Sequence, residues 1–191
     1  MLKNFFLAFI PIFVAIDPIG MVALFMGLGT HSATEDRTKQ ALLGVVTGLC
    51  VSVGFIFLGR IVFSALGITV ADFQVAGGLI LLVLAGREIV GAGDENRTGS
   101  DEFGVVPLGM PLIAGPALLT ALLILVDTVG LVYTVVSLLL NMAIVALALC
   151  QADRVARLLG RQGLRGVSKL VALLLAAIAV HLIRNGWQTT A

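Results

Sequence analysis

The sequence predicts an all-α membrane protein of six transmembrane helices, arranged as two inverted three-helix repeats with a broken first helix in each repeat. Three observations point there. The chain is 59% hydrophobic and 12% charged, with a mean hydropathy of +1.11, whereas a soluble domain carries about 25% charged residues. Apolar runs of bilayer-spanning length, about 20 residues each, nearly fill the 191 residues. Pro/Gly elements interrupt the first run of each half, Asp17-Pro18-Ile19-Gly20 in one and Ala114-Gly115-Pro116-Ala117 in the other.

The expected spans run from about Phe5 to Leu28, Ala41 to Leu66, Val70 to Ile89, Val105 to Val126, Val129 to Leu149 and Val167 to Ile183. Barrel strands would alternate in polarity, but these runs are apolar on every face, so helices are the expected elements. Short polar connections separate them. His31 to Gln40 carries a Ser32-x-x-Glu35 capping-box pattern. Gly91 to Gly104 holds four of the eleven acidic residues, and Arg154 to Lys169 is strongly basic. Lys3 followed by the apolar run from Phe5 resembles the start of a signal peptide, but no small-residue cleavage site follows, so a retained first span is expected. The organisation is a single transmembrane domain over residues 1–191, with repeat one at about 5–90, a polar cytoplasmic loop at about 91–104 and repeat two at about 105–187.

Positive charge sets the expected orientation. Arg37, Lys39, Arg87, Arg97, Arg154, Arg157, Arg161, Arg165 and Lys169 fall on one side of this arrangement, against Lys3, Arg60 and Arg184 on the other. Both termini are therefore expected outside the cytoplasm of a bacterial-type inner membrane. Arg60 either snorkels from the second span or marks a helix end with re-entry to Leu66. The net charge of +1 gives no basis for a nucleic-acid partner. Cys50 and Cys150 each stand in an apolar run without a second ligand-type residue nearby, so buried, unpaired cysteines are expected, with no metal site and no cofactor.

Three spans on each side of the central loop force the halves into opposite orientations, the arithmetic of an inverted repeat. Pro18 and Pro116 lie 98 positions apart, and Gly91 and Gly186, each closing an apolar helix, lie 95 apart. A proline inside a span frees backbone polar groups where no water is available. In many transporters, paired broken helices meet near the midplane and present half-helix N-termini to an anionic substrate group. Pro18 and Pro116 are then expected at the first turns of second half-helices, where a missing N–H is harmless. Gly20 and Gly115 would let a ligand approach the backbone.

Asp17 is ionisable at mid-span depth, which makes it a candidate for a ligand or proton site as well as an N-cap. The candidate substrate-binding set is Asp17, Pro18, Ile19, Gly20, Gly115, Pro116, Ala117 and Thr120. Thr120 competes with a plain reading, a hydroxyl bonded back to its own helix. Asn141 and Gln74 suit interhelical hydrogen bonds, and His181 suits an interior or interfacial place. An enzyme is not expected. Gly91-Ala92-Gly93-Asp94 spells the G-x-G-D string of intramembrane aspartyl proteases, but no second mid-membrane Asp accompanies it, and no HExxH, nucleophile elbow or P-loop is present.

Phe9-Ile10-Pro11-Ile12-Phe13-Val14-Ala15-Ile16-Asp17-Pro18-Ile19-Gly20, with Thr30 beyond it, resembles the opening of the MarC family of bacterial inner-membrane proteins. Phe73-Gln74-Val75-Ala76-Gly77-Gly78-Leu79 and Pro111-Leu112-Ile113-Ala114-Gly115-Pro116 are similar to that family's third and fourth helices. The resemblance covers about residues 5 to 187. The family includes SnatA-like transporters, so the resemblance implies secondary transport, ion- or proton-coupled, of small neutral amino acids such as glycine or alanine. The expected partners are that amino acid or a similar small zwitterion and the lipid bilayer, with a coupling proton or sodium ion and a homo-oligomer left open. Two positions depart from the family pattern. Ala117 stands where a glycine is common, and Met21 where an asparagine is common. The alternatives are an exporter of another small metabolite and a non-transporting membrane protein that works through helix partners.

Overall fold

The computed structural model describes residues 2–28, 34–90 and 104–190, and every described element is helical. The capping-box pattern at Ser32 and the Gly91 to Asp94 string lie outside the described residues. The chain forms α1 (Leu2–Ile16), α2 (Pro18–Leu28), α3 (Thr34–Leu66), α4 (Val70–Val90), an irregular segment (Gly104–Ile113), α5 (Pro116–Thr128), α6 (Leu131–Cys150) and α7 (Ala152–Thr190).

Among the described residues, four stretches are long and apolar enough to cross a membrane: Leu2–Met26, Arg37–Leu66, Val70–Arg87 and Leu131–Cys150. A fifth is formed if the irregular segment and α5, bent by 51° at their junction, count as one broken span. The region expected as a sixth span lies inside the 39-residue α7. The expectation that the span is helical from Val105 up to its break at Ala114 needs correcting. Val106 and Met110 are extended (φ −131°, ψ 123° and φ −142°, ψ 129°), and each precedes a proline, whose ring disfavours helical backbone in the residue before it.

Contacts between elements fix their relative directions. The Gly104 N–H donates to Gln40 Oε1 at 2.7 Å near the start of α3, and Asp127 on α5 pairs with Arg60 near its end. The segment from Gly104 to Thr128 therefore runs parallel to α3. Ser137 Oγ donates to the Phe5 carbonyl and Asn141 Nδ2 to the Phe9 carbonyl at 3.3 Å, so α1 and α6 are also parallel. The largest helix–helix interface joins α4 to α7. It is antiparallel and glycine-mediated: a Cβ on Gly78 would lie 2.8 Å from the Ala179 carbonyl, and one on Gly186 would lie 2.6 Å from the Ala71 carbonyl.

The buried core draws Ile12, Phe25, Leu108, Leu118, Leu138 and Val145 from five elements. Many leucines and valines, such as Leu79, Val83, Val132 and Leu173, instead face outward, as expected where the surroundings are hydrocarbon. Cys50 and Cys150 belong to that outer surface; both are free and exposed, contrary to the expectation of burial. α3 continues unbroken through Arg60 to Leu66, which removes the re-entry alternative. A capping box not anticipated from the sequence opens α4, where the Asp72 N–H donates to Thr69 Oγ1 at 3.1 Å and the Thr69 N–H donates back to Asp72 Oδ2 at 2.7 Å.

Candidate functional site at two helix breaks

The first break is local. Pro18 opens α2 and disfavours helical backbone at the residue before it, and Asp17 sits at φ 49°, a region Asp tolerates better than most side chains. Backbone bonds still bridge the site. The Asp17 N–H donates to the Phe13 carbonyl at 3.0 Å, and the Met21 N–H donates to the Asp17 carbonyl at 2.9 Å. The Asp17 carboxylate folds back and accepts from the Gly20 N–H at 3.1 Å, satisfying one of the orphan donors at a helix start. A Cβ at position 20 would overlap Asp17 Oδ2, so any larger residue there would make the carboxylate shift.

The second break is an opening. The Ala114 N–H reaches back five residues to the Gly109 carbonyl at 2.9 Å, and Gly115 is extended at φ −84°, ψ 167° before Pro116 starts α5. No side chain caps α5. Its first backbone bond runs from the Leu119 N–H to the Gly115 carbonyl at 3.0 Å, which leaves the Ala117 and Leu118 amides at the positive end of the helix dipole. A side-chain cap has no room here. A Cβ at position 115 would lie 2.7 Å from the Pro111 carbonyl.

Both breaks face one cavity of about 50 Å3. Asp17, Gly20, Gly115, Pro116 and Ala117 line it together, with an aliphatic wall of Met21, Leu24, Leu81, Leu175 and Ile178. Five of the eight candidate residues thus share one site. Pro18 is buried beside it but outside the lining, and nothing is described of the Ile19 side chain. Thr120 is buried without a hydrogen-bond partner for its hydroxyl and does not reach the lining. Met21 and Ala117, the two departures from the family pattern, both do.

Sequence reasoning missed the aliphatic wall and Gly77. A Cβ on Gly77 would run into the Pro116 ring, so α4 lies flush against the start of α5. Asn141, expected as an interhelical contact, is fully buried and bonds α6 to α1. A second, more open cavity of about 340 Å3 lies at the far end of α5 and includes Arg60, Phe63, Thr69, Leu123 and Asp127. The exposed Arg60–Asp127 pair closes one edge of it, an arrangement the sequence did not indicate.

Fold and site define a multi-spanning helical membrane protein with a cavity where two interrupted segments meet. The family model described as MarC family integral membrane protein matches residues 2–191, and the chain belongs to that family. Among similar proteins, UPF0056 membrane protein MJ1677 of Methanocaldococcus jannaschii is 30% identical, with 97% of this chain and 96% of the relative covered. A UPF0056 membrane protein of Pyrococcus abyssi is 27% identical, with coverage of 97% and 94%. UPF0056 inner membrane protein YhgN of Escherichia coli is 28% identical over 89% of each chain. No solved structure matches the chain significantly.

Proposed function

We propose that this chain is a secondary transporter of small neutral amino acids such as glycine or alanine, set in a bacterial-type inner membrane and coupled to a proton or sodium ion. It works as a carrier and not as an enzyme. The observation that carries the reading is the convergence of both breaks on one cavity, with a carboxylate on one side and an uncapped helix start on the other. A zwitterion matches that polarity. Its carboxylate would face the Ala117 and Leu118 amides, and its ammonium would face Asp17 or the Leu112 carbonyl, to which Pro116 has no N–H to give.

The inverted-repeat reading draws support from direction. The broken span of the second half runs parallel to α3, while α1 runs parallel to α6, the helix that follows α5 across the two residues Val129 and Gly130, which favours opposite senses for the two broken spans. The antiparallel packing of α7 on α4 supports a sixth crossing, and with it both termini outside the cytoplasm.

The test is thermal stabilisation of the detergent-purified protein by glycine, alanine and larger amino acids, because a ligand of the folded state raises apparent stability by mass action. Accumulation against a gradient in proteoliposomes follows. Stabilisation by glycine or alanine that disappears in Asp17→Ala and Pro116→Ala is the expected result. A well-folded wild type that responds to no amino acid would overturn the assignment.

A further inference from the structure

The cavity is small. At about 50 Å3 it suits a small ligand and not a bulky one. The residue that sets this limit can be read from the surrounding helices. Of the aliphatic wall, Leu175 and Ile178 are the more exposed members, with Ile178 38% accessible at the open margin. Met21 is buried, but its unbranched thioether adapts readily to a new neighbour. Leu24 is branched and 9% exposed, but it stands on α2, whose Gly20 rests on Asp17 of the same broken span and not on a neighbouring helix. Leu81 is 5% exposed, branched, and part of the main buried core.

Leu81 also stands on a helix held in close contact with two neighbours. Gly77, one turn earlier and on the same face of α4, rests on the Pro116 ring, and Gly78 rests on the Ala179 carbonyl and Ile183 of α7. Side chains on a helix lean toward its N-terminus, so Leu81 lies over the turn that holds Gly77 and hence toward the Pro116 end of the cavity, whose lining it shares.

We propose that Leu81 is the specificity-determining residue of this site, the fixed stop that admits a hydrogen or methyl side chain and rejects larger ones. This rests on the amino-acid reading of the cavity and deepens it. The two glycines make the stop rigid, so the size limit belongs to the packing of α4 and not to the polar groups that bind the zwitterion.

The experiment compares thermal stabilisation by glycine, alanine, valine and leucine across wild type, Leu81→Ala, Leu81→Val and Leu81→Phe, with lipid-facing Leu79→Ala as control and size-exclusion profiles to establish folding. Leu81→Ala should gain valine binding by about tenfold or more, the scale of a methylene-sized change in an apolar pocket. Leu81→Val should shift the ranking part of the way. Leu81→Phe should lose alanine before glycine, and Leu79→Ala should match wild type. If wild type binds glycine and alanine but the folded Leu81 variants keep its ranking, the size stop is overturned and the amino-acid site stands. If wild type binds none of the four, the amino-acid reading falls and the size stop falls with it.

Discussion

The breaks at Asp17 and Gly115 start from the same device, a proline at the first position of a helix, and end in different states. At the first, the protein supplies its own anion: the Asp17 carboxylate occupies the start of α2 through the Gly20 amide, and the helix carries on as one 25-residue span. At the second, the chain bends by 51°, the start of α5 has no side-chain cap, and the Pro111 carbonyl leaves no space for one. One break therefore brings a negative charge to the cavity and the other an unfilled positive helix end. A symmetric pair would present two like ends to a ligand, and the actual pair suits a molecule with one charge of each sign.

The strongest way to disturb this comparison is to move the second break bodily. Gly77→Leu should wedge α4 from the Pro116 ring, cost about 1–3 kcal/mol in thermal unfolding and remove stabilisation by glycine. A near-normal melting point with intact binding would mean that α4 does not position α5. Next comes an attempt to turn the second break into the first. Gly115→Asp offers a cap, but its Cβ meets the Pro111 carbonyl, so circular dichroism melts should show a loss of about 1–3 kcal/mol; a gain would show that the site has room for a cap after all.

Asp17 separates capping from charge. Asp17→Ala should cost about 1 kcal/mol from the lost cap and abolish ligand-dependent stabilisation. Asp17→Asn keeps an equally good cap, so its unfolding free energy should stay within a few tenths of a kcal/mol of wild type while proton-driven uptake in proteoliposomes stops. Full pH-driven uptake by Asp17→Asn would exclude Asp17 as the proton carrier. The smallest effect belongs to the far end of α5. The Arg60–Asp127 pair is exposed, with side chains 62% and 50% accessible, so Arg60→Ala should cost at most about 1 kcal/mol, and the difference from wild type should shrink as salt rises.

Both breaks were legible because proline and glycine have local conformational consequences that do not depend on what packs around them. Asp17 was legible because a carboxylate at mid-span depth is costly. Pro107 and Pro111 carried the same kind of signal, yet they stand in an apolar run that suggested a helix from Val105 up to the break at Ala114, and the extended residues before them were missed. Nothing local marks Leu81, Leu175 or Ile178 as cavity wall, since they are aliphatic residues among many and only helix packing distinguishes them. The same holds for Gly77, whose role exists only because α4 meets Pro116 in space. Cys50 and Cys150 were misjudged because burial statistics from water-soluble proteins do not transfer to a surface bathed in lipid.

The α4–α7 interface also has a consequence in time. Gly78 on α4 leaves the ribosome 101 positions ahead of Ala179, the α7 residue whose carbonyl it rests on. At synthesis speeds of roughly 5–20 residues per second, α4 stands in the bilayer for about 5–20 s before Gly78 can meet its α7 partner. The cavity, walled by residues from both helices, is thus among the last parts of the molecule to close, and a chain halted before α7 would carry both breaks without the Leu175 and Ile178 side of the wall.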